Sequence, residues 1–139
     1  MRSTRTFRVV NIMACEFVRT ETNNKYTIIG AIPSGDMNVP AFPATLGIAF
    51  YIEALLSEMG HQTIKIAILY NKRRIGVLSV EMEVTNVKAP AIIAFPTVSV
   101  LASEPGSLEL YVENGHRYRI FKESIRLADQ LPSTAVPAP

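Results

Sequence analysis

Few residues in this chain have the types and spacing that chemistry demands. Its two histidines, His61 and His116, each stand beside a glycine, and Cys15 is the single cysteine. Carboxylates recur at short intervals, as Glu81 with Glu83 and Glu109 with Glu113, and Lys72-Arg73-Arg74 is the one cationic run. A hydrolase would need a nucleophile within reach of a base. A zinc site would need three or four ligands. Paired carboxylates can trade protons, and a basic tip can hold an anion.

The surrounding patterns favour plainer roles. Both histidines fall in predicted turns, where an imidazole is usually solvated. Cys15 lies among apolar residues in a predicted strand and reads as a small buried hydrophobe. Carboxylates at period two on an amphipathic strand read as its wet face. The basic run reads as the solvated tip of a hairpin. The seven glycines are dispersed without a Gly-x-Gly pair, so a phosphate-cradling loop is not expected. The expectation is therefore no catalytic, cofactor-binding or metal-ligating residue, no cofactor, and no enzyme.

The elements that would carry these residues are strands. Phe7 to Phe17 is apolar on both alternating sets, as a central or covered strand would be. Glu21 to Lys25 is a turn, and Tyr26 to Ala31 returns, giving a hairpin with a loop of four or five residues. Residues 32–46 hold three prolines and read as a loop or a broken edge strand. Leu46 to Leu56 fits a strand better than a helix. Ile64, Ile66 and Ile68 alternate with Lys65, Ala67 and Leu69, and Leu78, Val80 and Met82 alternate with polar residues after a turn at Asn71 to Arg74. That is a hairpin with one wet face. Further strands follow around Pro96, after Pro105-Gly106, and on either side of Asn114-Gly115, a strong hairpin signal. The reading is all-β: an immunoglobulin-like or jelly-roll β-sandwich of about eight short strands over residues 1–127, with a flexible tail over 128–139.

Composition narrows the partners. The chain has 139 residues, 48% hydrophobic and only 19% charged, with a net charge of +2. Low charge suggests a large core or a surface that another chain covers. The 14 basic residues are scattered along the sequence, so a nucleic-acid partner is not expected. No apolar run reaches the ~18 residues of a transmembrane helix, and a membrane partner is not expected. Ile12-Met13-Ala14-Cys15 faintly follows a lipoprotein cleavage box, yet the apolar stretch before it is too short. The location expected is cytoplasmic, or within a virion.

Several short pieces together resemble a known family: Ala14-Cys15-Glu16, Tyr26-Thr-Ile-Ile-Gly30, Phe42-Pro43-Ala44, and Pro105-Gly106 leading to Asn114-Gly115. Over residues 7–127 the chain resembles an uncharacterised bacterial β-sandwich family, a domain of unknown function. Leu108 and Leu110 stand where such proteins usually carry an aromatic. The resemblance implies the sandwich fold and no particular activity. The function expected is a non-enzymatic interaction or structural module. Its partner would be another protein or a second copy, and the assembly could be a phage-type particle. The alternative is a small-molecule binding domain, or an enzyme with an unfamiliar site, with Tyr51, Tyr70, Tyr111 and Tyr118 lining a cleft.

Overall fold

A computed structural model describes residues 7–32, 36–113 and 117–128. The Asn114-Gly115 turn, His116 and the expected tail, apart from Ala128, lie outside them. Nine strands occur among the described residues: β1 (Phe7–Thr20), β2 (Tyr26–Ile32), β3 (Asp36–Val39), β4 (Ala44–Leu56), β5 (Gly60–Tyr70), β6 (Arg73–Val84), β7 (Ala91–Ala102), β8 (Gly106–Val112) and β9 (Tyr118–Leu127). The helical content among them is a short 3₁₀ turn at Thr22–Asn24 and nothing longer.

The strands form two sheets, ordered β2-β1-β4-β7 and β3-β9-β8-β5-β6. All neighbours pair antiparallel except β3, which runs parallel to β9. Their inner faces share one core. Phe7, Ile48, Phe50, Ile52 and Val100 come from the first sheet, and Ile64, Ile66, Leu108, Leu110 and Ile125 from the second. Phe50 and Phe121 meet edge to face across it, with ring centroids 5.2 Å apart, an arrangement aromatic rings prefer.

Several expectations hold. β1, apolar on both faces, is an internal strand between β2 and β4. Ile64, Ile66 and Ile68 point into the core, and Leu78, Val80 and Met82 pack against the same core from β6. Cys15 is fully buried in a smaller cluster with Val18 and Ala49 on the outer side of the first sheet, and burial raises its thiol pKa. Part of residues 32–46 is indeed a short edge strand, β3.

Others need correction. The strands are not short: β1, β4, β5, β6 and β7 have 14, 13, 11, 12 and 12 residues. Single-residue bulges let them run on where the alternation breaks. One extra residue sits at Val10 in β1, at Ile75 in β6 and at Ile120 in β9, and another at Pro96–Thr97 in β7. Pro96 is tolerated there because a bulge frees a residue from the ladder. The turn after β5 is also tighter than expected. Asn71 and Lys72 are its two central residues, both at positive φ, the signature of a type I′ loop. Arg73 and Arg74 already belong to β6.

The two faces of β5 give a direct test of the core. Ile66→Ala should cost about 2–5 kcal/mol, because it removes a fully buried side chain and leaves a cavity. Lys65→Ala, on the outer face, should cost about 0.5 kcal/mol or less. Urea denaturation of both variants measures the difference, and equal losses would contradict the assigned faces.

Candidate functional site

The outer face of the five-stranded sheet is where the chemistry-bearing residues gather. The β5–β6 turn is pinned to the start of β8. The Asn71 amide N–H donates to the Ser107 carbonyl at 3.0 Å, and the Ser107 N–H donates to Asn71 Oδ1 at 2.9 Å. The Tyr70 hydroxyl donates to the Glu104 carbonyl beside it. Gly106 makes the approach feasible, since a Cβ there would stand 1.8 Å from Asn71 Oδ1.

With the turn held in place, Lys72 reaches across the sheet to Glu109. The Lys72 ammonium lies 3.1 Å from Glu109 Oε1 and donates to Oε2 at 3.3 Å. Arg119 from β9 and the Tyr111 hydroxyl donate to the same Oε2 at 3.2 and 3.1 Å. Beneath these side chains Glu109 is 0% exposed. It is not part of a wet face, as its period-two spacing had suggested. Burial alone would raise its pKa, but the bonds from Lys72, Arg119 and Tyr111 outweigh burial and hold the carboxyl below its ordinary range.

The rest of the basic run is split. Arg74 makes a two-pronged pair with Glu113, at 2.7 and 3.2 Å. Arg73 has no ion pair among the described residues and lines a cleft of about 490 Å³ between the tip of β6 and the edge of β7. Asn71, Ile75, Ser99, Leu101 and Ser103 also line it. The hairpin tip is therefore not simply solvated: two of its three cations are engaged by buried or half-buried carboxylates.

Other candidates stay apart. His61 is on β5 rather than in a turn. It is exposed, with ring nitrogens 3.3 Å from Glu81 Oε1 and 3.6 Å from Glu83 Oε1. Glu81 and Glu83 do form a wet edge. The four tyrosines do not line one cleft. Tyr70 borders the cleft by β7, and Tyr111 lies under the Arg117 guanidinium at 4.5 Å. Tyr51 stacks edge to face on Tyr26 across the other sheet, and Tyr118 donates to the Phe7 carbonyl. Among the described residues no group of three or more His, Cys, Asp or Glu is placed to share a metal ion.

Two predictions follow from the pinned turn and the buried carboxylate. Glu109→Gln should lose about 1–2 kcal/mol at neutral pH. A deep ion pair would cost more, but Lys72 lies mostly and Arg119 about half in water, and both are screened. Because the folded-state pKa is lowered, this contribution is complete above the ordinary carboxylate pKa and disappears as pH falls through the folded value. The stability gap between wild type and Glu109→Gln should therefore close in acid; a gap unchanged from neutral pH to strong acid would contradict it.

Gly106→Ala should displace Asn71 and forfeit its bond to Ser107, a loss of about 1–3 kcal/mol. Asn71→Gly keeps the turn's left-handed backbone. In that background the same alanine should cost much less, so the two changes should be strongly non-additive in a double-mutant cycle. In comparison with known proteins, the chain matches no family model and no curated protein.

Proposed function

We propose that this chain is a non-enzymatic interaction module that engages a protein partner along the open edge of its five-stranded sheet. The supporting observation is β6, twelve residues long and, among the described residues, hydrogen-bonded to β5 on one side only. Its other side offers a row of backbone donors and acceptors, the template on which strand addition works. Apolar side chains flank this edge in water: Ile75 is 46% exposed, Val77 41%, and Leu101 on the adjoining edge strand β7 is 64%. Such positions are ones a partner strand would cover. Within this reading the two sheets are a β-sandwich of the immunoglobulin-like or jelly-roll kind, used as a rigid carrier for the edge.

A second reading rests on the cleft beside β6. Its volume falls within the range of small-ligand sites, and Arg73, Ser99 and Ser103 supply polar groups around it. An anionic small molecule would suit that lining.

Hydrogen exchange separates the two. The amides of Arg73 to Val84 should exchange quickly along the open edge in the isolated chain, and slowly in the assembly recovered from its source. Protection confined to Ser99–Ser103 and Arg73–Ile75 would favour the cleft ligand. An assembly in which β6 exchanges as fast as in the isolated chain would overturn the edge reading. Ile75→Lys with Val77→Lys should abolish assembly while changing stability by about 0.5 kcal/mol or less per site, since both positions are exposed.

A further inference from the structure

Among the described residues the two sheets have four edge strands, and three of them are guarded. β3 has only four residues. β2 has seven and is kinked at Gly30, whose φ is +65°. β7 carries Pro96 and a bulge near its middle. Short length, kinks, prolines and bulges are the usual devices against edge-to-edge pairing. β6 lacks most of them. It has twelve residues, no proline and no lysine, and its bulge at Ile75 lies near one end.

The charge along β6 is polarised. Arg73 and Arg74 open the strand, and Glu81 and Glu83 close it, with the uncharged run Ile75-Gly-Val-Leu-Ser-Val80 between. A parallel second copy would set arginine beside arginine and glutamate beside glutamate. An antiparallel second copy sets each basic end against an acidic end. Like charges directly opposite are unfavourable and unlike charges favourable, so the strand selects the antiparallel arrangement of itself.

The faces fix the register. Val77, Ser79 and Glu81 lie on the outer face, opposite Ala67, Lys65 and Thr63 of β5. Leu78, Val80 and Met82 face the core. A one-residue slip would put outer residues against inner ones. With a twofold axis at Leu78, that residue meets its own copy over the core. Val77 then faces Ser79 of the second copy, and the Ile75 bulge brings Arg74, which already holds Glu113, opposite Glu81 of the second copy, which lies beside its own His61. Moving the axis one residue, to Ser79, would set the exposed Val77 against Glu81.

We infer that β6 pairs antiparallel with β6 of a second copy of this chain about a twofold axis at Leu78, joining two five-stranded sheets into one of ten. This rests on the reading of β6 as the contact edge and names its occupant. The pairing is isologous, as closed homodimers require, and it covers the partly buried Leu78 and Val80 as well as Val77.

The test uses the full chain. Sedimentation across a wide concentration range should show the mass rising from 15.3 kDa toward twice that value. Val77→Lys should move the midpoint to about tenfold higher concentration or beyond, because each copy then carries an edge lysine, the two lying diagonally across the axis. The double variant Val77→Cys with Ser79→Cys should form a covalent dimer on oxidation, since directly opposed positions in an antiparallel pair fall within disulfide reach. Val77→Cys with Glu81→Cys should do so far less. A dimer that ignores Val77→Lys, or that links better through residues 77 and 81, overturns the pairing. A mass fixed at 15.3 kDa also overturns self-pairing, while slow exchange of β6 amides in the recovered assembly would still uphold the edge with a different occupant.

Discussion

A strand between two neighbours in a sheet has two faces, and a two-layer protein has one core to offer. β5 meets that constraint and goes past it. Its inner isoleucines enter the shared core, yet on its outer face Ala67 and Leu69 are buried too. Their cross-strand neighbours in β8 are Tyr111, opposite Ala67, and the buried Glu109, opposite Leu69. Lys72, Arg119 and Tyr111 converge on its carboxylate. The placement of Lys72 depends on the turn, and the turn depends on Asn71 bonded to Ser107. A backbone detail of two residues thus sets where Lys72 meets the buried carboxylate.

Much of the fold could be read from the residues. Alternation in β5 and β6, the Glu21 to Lys25 turn and the doubly apolar β1 all lead to the observed arrangement. Each depends on neighbours in the chain, where local pattern carries the information. The buried Glu109 was not legible in the same way. Its flanking Leu108 and Leu110 mark its side chain as facing outward, and an outward glutamate is ordinarily solvated. The residues that bury it come from a turn 37 positions earlier and a strand 10 positions later, and spacing along one strand cannot report them. The bulges escaped for a similar reason. A bulge shows as a lapse in alternation, and a lapse reads as the end of a strand.

The candidate edge has a mixed legibility. The polarised charge of β6 stands plainly in the sequence, with arginines at one end and glutamates at the other. What the sequence withholds is which strands lie at the margins of the sheets, because that is set by pairing between distant segments. With β6 placed at a margin, the same charges change meaning, from a solvating pattern to a code for orientation.

The bulges carry a consequence for how this chain can change length. Inside a regular strand, losing or gaining one residue reverses which side every later side chain takes, and half a strand of core residues would turn to water. At Val10, Ile75 and Ile120 the ladder already holds one residue without an opposite number. Removing that residue would close the ladder and leave every later side chain on its own side. These positions, like the bulge at Pro96–Thr97, are therefore places within the strands where natural variants could differ in length by one and keep the same interior. Val10 and Ile75 stand well out in water, so such a deletion would take little from the core.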